Sequence, residues 1–594
     1  MFEKDKDLTH LTTFGIPARA SLFAEYSSAK ELLKISRTPE FNDNEVLHIG
    51  GGSNLLFVND FKGLVLHSAI KGITRYDKDP DTVYVIAGAG EKWTDLVDWC
   101  VASGLAGLEN LAGIPGEVGA SPVQNVGAYG AEAKDAIHHV EVFDTVTRQV
   151  KTVTNEECRF GYRDSRFKHD WKGRYFVLRV SFRLKPSNIA EHLDYGPLKK
   201  LEETLGHKPS IAEVAAEIVR VRDAKLPDPK VIGSAGSFFK NPIVSRYFYA
   251  QEMRSEHPDV PYYDIDDHFV KIPAGWLIEH SGLKGMRVGG AQVYPKQCLV
   301  IANEDHATAA DVVELADKVV DTVRRRMGIR LRPEVNYIES SIEVTVLGSG
   351  TSKGVPEIAC ACRLCRSPYA KDKRMRASVL VKTHGMNILI DASPDLRAQA
   401  LRHGIHDIDA VLITHSHYDH VGGFDDLRPF CFDKKMPVYL KADVNSDLHR
   451  RLDYCFRPNP YPGVPTFEMN EVSADQPFFI NGLKVIPIGV MHGKLPILGY
   501  RIGDFAYVTD AKTIPEEEIG KLMGLKVLIV NALRPREHFA HMNFDEAVAL
   551  IDRLKPEEAY LTHFNHEVGY HHELENHFGE HIHPAYDGLT LKIN

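Results

Sequence analysis

The sequence predicts an α+β protein of several domains, and three observations carry that expectation. Its 594 residues exceed what one hydrophobic core serves and call for roughly three or four domains. Two glycine-rich tracts, Gly50–Asn54 and Gly113–Gly130, punctuate the first half, whereas in the second half short apolar strands run repeatedly into a histidine or an aspartate. The two patterns change over within Leu331–Gly354, LRPEVNYIESSIEVTVLGSGTSKG, across a seam of about four residues, Glu339–Ile342.

Composition narrows the class. Hydrophobic content of 43% with 26% charged residues is ordinary for a globular chain, and the formal charge of −10 offers no basic face for nucleic acid. No nucleic-acid partner is therefore expected. The charged start MFEKDKDLTH has no apolar signal region, and no apolar run approaches the roughly 18 residues of a membrane span, so a cytoplasmic protein without membrane association is expected. Eight cysteines in so long a chain make no disulfide framework, but Cys360, Cys362 and Cys365 crowd together and suggest a metal.

In the first half, LHIGGGSN ends an apolar strand in three glycines followed by Ser53 and Asn54. Such a turn can point several backbone N–H groups at one phosphate, although a plain glycine turn reads the same way. GIPGEVGASPVQNVGAYG is more informative. Ile114, Val118, Val123 and Val126 interleave its glycines, which a disordered linker would not need, so an ordered ligand loop is expected. Helices are expected over Ile211–Lys225 and Thr308–Met327, the second with Val312, Leu315, Val319 and Val323 on one face and a Thr308/Asp311 capping box.

GGGSN together with PGEVGASPVQNVGAYG closely resembles the UDP-N-acetylenolpyruvoylglucosamine reductase (MurB) family of peptidoglycan synthesis, over about Leu11–Ile338. The resemblance implies a vanillyl-alcohol-oxidase-type FAD-binding fold at 1–200 and a MurB-like substrate-binding domain at 201–338. FAD would lie against Gly50, Gly51, Gly52, Ser53 and Asn54, and against Pro115, Gly116, Gly119, Ser121, Gln124, Asn125, Gly127, Ala128 and Tyr129. GYRDSRFK, GSAGSFFKNP and PEVNYI match family segments that carry an active-site arginine, a serine proton donor and a glutamate, which here are Arg163, Ser237 and Glu334. Tyr195, Asn241, Tyr263, Lys271 and Lys284 match positions that bind the UDP-sugar substrate, and NADPH is the implied reductant. The chemistry suits these residue types: hydride delivery to an enolpyruvyl ether needs a carboxylate clamp, a hydrogen-bonding acid and a positioned hydroxyl. A sugar or alcohol oxidase on the same flavin fold is the alternative reading of this half.

From Ile342 onward, AVLIT leads to His415, KVIPIGVM to His492, FAYVT to Asp510 and EAYLT to His563. THSHYDH holds an H-x-H-x-D-H motif in which His415 and His417 share one side of an extended segment, with Asp419 and His420 in the following turn. This half resembles the metallo-β-lactamase superfamily, an αββα sandwich at 342–594. The resemblance implies His415, His417 and His492 on one metal, Asp419, His420 and His563 on the other, and Asp510 bridging. Two divalent cations, zinc or manganese, about 3.5–4 Å apart would activate water against a phosphodiester. His541 is the candidate general acid, with His538 competing for the role.

Cys360, Cys362 and Cys365 lack one ligand for a closed tetrahedral zinc site. With GSGTSKGVP, SPDLR and FDDLRP, they resemble the PhnP-type cyclic-phosphate phosphodiesterases, in which His566 would complete a structural zinc. The sequence thus predicts a bifunctional fusion of a flavin reductase with a hydrolase acting on a phosphodiester or cyclic phosphate. The alternatives are a noncatalytic second module or an RNA-processing nuclease.

Overall fold

The computed structural model describes residues 2–593 other than 195, 340, 432, 433, 459, 460, 462 and 482, so Tyr195 lies outside the described residues. The chain divides into two compact units, Met1–Ser340 and Ser341–Asn594. No described helix is long and apolar enough to cross a membrane.

The first unit opens with a four-stranded sheet in which Arg19–Tyr26 and Val46–Ile49 both run parallel to Phe61–Ser68. An antiparallel sheet follows, built on Ile137–Asp144, Tyr175–Pro186 and Thr82–Gly88. Helices Trp93–Ala102 and Ile211–Lys225 both bury apolar faces in the core of this second sheet, with Val214 and Ile218 packed in the same cluster as Trp93 and Leu96. That helix lies beyond residue 200, so the core containing the glycine tracts draws on chain from both sides of the expected boundary.

A third core gathers the sheet Gly233–Ser237, Ala291–Val293 and Val300–Asn303 under helix Ala309–Met327. Val312, Leu315, Val319 and Val323 are fully buried, as their helical spacing predicts. Thr308 caps the helix: its Oγ1 accepts from Asp311 N at 3.1 Å, and Asp311 Oδ2 accepts from Thr308 N at 2.9 Å. Phe14, Ile16 and Leu56, from the start of the chain, pack into this same core. Asn336–Ile338 then runs parallel to Leu55–Phe57, Asn336 pairing Leu55, which carries Glu334 alongside Asn54.

The second unit is two seven-stranded sheets face to face. Val344, Ile388, Ile390 and Leu412 of one meet Val485, Tyr500, Tyr507 and Ile529 of the other in a dry inter-sheet core. Helices Leu396–His403 and Ala442–Arg451 cover one outer face and Phe544–Leu554 the other, which completes an αββα sandwich. The predicted strands appear as Ala410–Leu412, Leu483–His492, Phe505–Val508 and Glu558–Thr562, and three of them stop just before a predicted ligand while Leu483–His492 ends on one.

Candidate active sites

In the first unit the two glycine tracts meet backbone to backbone. A Cβ on Gly51 would stand 3.3 Å from Gly116 Cα, and one on Gly52 would collide with Leu11 O. Ser53 Oγ donates to Pro115 O at 3.2 Å, and Asn54 Nδ2 donates to Gln124 Oε1 at 2.9 Å and to Glu334 O at 3.2 Å. The N–H groups of Gly51, Gly52 and Ser53 find no backbone acceptor among the described residues. Bare amides on a tight turn suit an anionic diphosphate, so the tracts fit FAD.

Two predicted contacts have their side chains engaged within the protein. Ser121 Oγ is buried and donates to Val118 O at 2.8 Å. Asn125, also buried, donates to Glu132 Oε2 at 2.9 Å and Gly161 O at 2.8 Å and accepts from Lys134 N at 3.0 Å. It thereby ties the second tract to the loop of Arg163.

Arg163 adopts φ 54° and sets Nε 3.0 Å from Glu334 Oε1, while its terminal NH2 donates to Gly127 O at 2.6 Å. A side chain on Gly127 would press on that guanidinium at 2.9 Å. Glu334 N donates to Phe238 O at 2.8 Å, which puts Ser237, exposed at the end of Gly233–Ser237, on the neighbouring segment. Lys271 Nζ lies 4.4 Å above the Tyr162 ring and 5.8 Å from that of Tyr263, its cross-strand partner. Burial, and then the nearby Arg163, lower the Lys271 pKa. Asn241 hydrogen-bonds Tyr162 and accepts from Ala274 N at 2.9 Å. Lys284 is instead in an exposed ion pair with Glu279 at 2.8 Å.

Sequence reasoning missed Tyr162 and Lys168 here. Tyr162 touches three predicted residues, and its adjacency to Arg163 was the available signal. Lys168 donates from Nζ to Arg163 O at 3.0 Å, and burial with nearby Lys240 brings its pKa down to about 8.

In the second unit the strand ends converge as predicted. Ligand atoms of His415, His417, His492 and Asp510 all lie within 4.8 Å of one another, as do those of Asp419, His420, Asp510 and His563. Asp510 is common to both groups, with Oδ1 3.1 Å from His563 Nε2 and Oδ2 3.8 Å from His415 Nε2. Nε2 of His420 and of His563 are buried and have no hydrogen-bond partner among the described residues. Orphaned imidazole nitrogens around one shared carboxylate fit two divalent cations.

The outer hydrogen bonds orient these ligands. His492 Nδ1 donates to Ala540 O at 2.9 Å, which leaves Nε2 for a cation. His420 Nδ1 sits 2.6 Å from Asp391 Oδ2, and Asp391 also accepts from Thr414 N at 2.9 Å. Asp391 follows Met386–Ile390, so the strand-end pattern that marked the other ligands marks it as well. Burial lowers His415 far below an ordinary histidine, whereas Asp419, Asp391 and Asp510 overcome burial and hold His420 well above one.

His541 Nδ1 lies 3.9 Å from Asp510 Oδ2, and its ring stacks on His563 at 4.9 Å. Its neighbour His538 stands farther out, 5.0 Å ring to ring from His541, with Nδ1 accepting from Ala540 N at 3.2 Å. Sγ atoms of Cys360, Cys362 and Cys365 surround His566 Nδ1 at 3.1, 3.9 and 3.7 Å. Cys365 N donates to Cys362 Sγ and Glu357 N to Cys365 Sγ, while His566 Nε2 faces Glu357 Oε2 at 3.5 Å. Three thiols, an oriented imidazole and amide donors to sulfur fit a closed zinc site.

Residues 20–152 match the FAD binding domain family and residues 228–338 the UDP-N-acetylenolpyruvoylglucosamine reductase C-terminal domain. The Neisseria gonorrhoeae UDP-N-acetylenolpyruvoylglucosamine reductase is 46% identical over 340 residues, 57% of this chain and 98% of that one. The chain belongs to the UDP-N-acetylenolpyruvoylglucosamine reductase family. The Bacteroides fragilis enzyme of the same name is also 46% identical, over 342 residues that make up 57% of this chain and all of that one. Beyond the reductase unit, residues 386–564 match the β-lactamase superfamily domain, so the chain is a fusion of the two. A crystal structure described as a new diphosphatase from the PhnP family is 38% identical, covering 43% of this chain and 98% of its own, with a TM-score of 0.41.

Proposed function

We propose that the reductase unit converts UDP-N-acetylenolpyruvoylglucosamine to UDP-N-acetylmuramate with NADPH, in the cytoplasm, for peptidoglycan synthesis. The observation that carries this is the Arg163–Glu334 pair at 3.0 Å, set between Gly127 of the second glycine tract and the segment that bears Ser237. FAD, when bound, supplies the hydride. Arg163 has guanidinium donors left after Glu334 and Gly127 with which to hold the enolpyruvyl carboxylate, and Glu334 in its protonated form gives a hydrogen bond to that carboxylate as charge builds on it. Ser237 hands its hydroxyl proton to the carbon that receives no hydride. Lys271 and Tyr263 on paired strands, with Asn241 in the loop before Ile243–Ser245, offer the cation and hydrogen-bonding groups that a nucleotide diphosphate needs. NADPH consumption that starts only when the enolpyruvyl sugar is added is the expected result. Flavin reoxidised by oxygen, indifferent to that sugar, would favour the oxidase alternative.

For the second unit we propose hydrolysis of a small phosphodiester or cyclic phosphate. Seven converging ligand groups with Asp510 shared between two sets support a catalytic centre over a scaffold. Two cations, when bound, supply a nucleophilic hydroxide and clamp the phosphoryl oxygens. His541, nearer to Asp510 than His538 is, protonates the leaving oxygen. Metal-dependent turnover of a generic phosphodiester, lost in Asp510→Ala while reduction persists, tests this reading.

A further inference from the structure

A three-residue ladder supports the Gly50–Ser53 turn. His67 lies on Phe61–Ser68 in register with Ile49, the last strand residue before the turn. Its Nε2 is 3.1 Å from both carboxylate oxygens of Glu117, and its Nδ1 is 2.9 Å from Glu25 Oε2 on Arg19–Tyr26. Glu117 in turn lies against the turn: a Cβ on Gly50 would sit 3.5 Å from its Oε2, and one on Gly51 3.4 Å from its Cγ. The His67 and Glu117 side chains are only 17% and 13% exposed.

A neutral imidazole donates from one nitrogen only, so a ring with a carboxylate on each nitrogen is an imidazolium. The bond to Glu117 raises the His67 pKa, burial opposes it, and Glu25 raises it further. His48, on Val46–Ile49, is the other titratable group facing it, and burial pulls that ring down to about 3, so it adds no charge. A carboxylate held beside bare amides that await a diphosphate would repel it, unless a cation cancels the charge.

We propose that His67 is a positioning residue for the cofactor turn: as a cation it neutralises Glu117 and pins that side chain against Gly50 and Gly51, so that the turn accepts an anionic diphosphate. The proposal rests on the reading of this turn as the seat of the FAD diphosphate. Because the partners raise the His67 pKa, the favourable charge is present at low pH and lost as pH rises through that pKa, which weakens FAD binding on the alkaline side.

The test is FAD titration of the full-length apoprotein, followed by flavin fluorescence, for the parent, His67→Ala, Glu117→Gln and the double variant. His67→Ala is expected to weaken FAD binding about tenfold, the order expected when a partly buried charge loses its partner. The double variant should return to within about threefold of the parent, since the amide carries no charge to cancel. Glu117→Gln alone should bind at least as tightly as the parent and lose the parent's weakening on the alkaline side. FAD affinity unchanged in His67→Ala, or a double variant no better than that single, overturns the proposal. If circular dichroism shows His67→Ala unfolded, the Glu117→Gln pH series decides alone, and an undiminished pH dependence overturns it. A parent that binds no FAD overturns the cofactor reading together with the proposal, whereas a parent that binds beside indifferent variants overturns the proposal only.

Discussion

Asp391 and His420 share a buried 2.6 Å contact, Asp391 Oδ2 to Nδ1, with the other nitrogen of His420 turned toward Asp419 at 3.1 Å and Asp510 at 3.5 Å. The carboxylate fixes which nitrogen faces the proposed cations and makes it a better donor. Asp391→Asn should therefore lower metal affinity and hydrolysis by roughly 10–100-fold while the fold persists. Metal titration of the purified variant, with circular dichroism as the control, checks both halves of the expectation.

Asp510 is common to both four-group clusters. Asp510→Ala should cost the protein about two of roughly three bound metals and abolish phosphodiester hydrolysis, while NADPH-linked reduction continues. Elemental analysis beside the two assays distinguishes this from general misfolding, which would also strip the cysteine site.

Cys360, Cys362, Cys365 and His566 hold together segments far apart in the chain. Cys360→Ser should destabilise the second unit by several kcal/mol, on the order of the cost of losing a structural zinc ligand, and leave the reductase assay untouched. Calorimetry of the full chain should show one transition moved down and another unmoved.

Glu334→Ala removes the carboxyl group that faces Arg163 at 3.0 Å and that, protonated, gives the hydrogen bond the proposed mechanism draws on. Turnover of the enolpyruvyl sugar should fall by roughly 10²–10³-fold, the usual cost of losing one donor to a developing oxyanion. Flavin absorbance should be unchanged, because the Glu334 backbone carbonyl that accepts from Asn54 stays in place.

Thr308→Ala removes the hydroxyl that accepts from Asp311 N at the start of Ala309–Met327 and should cost about 1 kcal/mol of stability in the reductase unit. Urea unfolding monitored by flavin fluorescence reads the shift.

Both candidate sites are legible in the sequence wherever chemistry coincides with a strand end or a glycine turn. His415, His492, Asp510 and His563 each follow or close an apolar strand, and a short apolar run that stops at a possible ligand makes that edge visible without coordinates. Asp391 obeys the same rule but escaped notice, because an isolated aspartate after a strand resembles any turn residue. Tyr162 was hidden for another reason: its partners Lys271 and Asn241 lie far along the chain, and ring contacts leave no spacing to read. The same distance hid the shared core of Ile211–Lys225 with Trp93 and Leu96, since an apolar stripe declares that a helix packs and not against what. Lys284 matches its family position, and its ammonium pairs with the surface carboxylate of Glu279.

The pairing of Asn336–Ile338 with Leu55–Phe57 sets a timetable for synthesis. Leu56 and Phe57 are 1% and 3% exposed in the finished unit, yet their partner strand leaves the ribosome roughly 15–60 s after them at ~5–20 residues per second. Throughout that interval the nascent chain carries an open strand edge directly after the Gly50–Asn54 turn. The reductase unit closes only as its final strand emerges, with Ile342, the first strand residue of the second unit, immediately behind it.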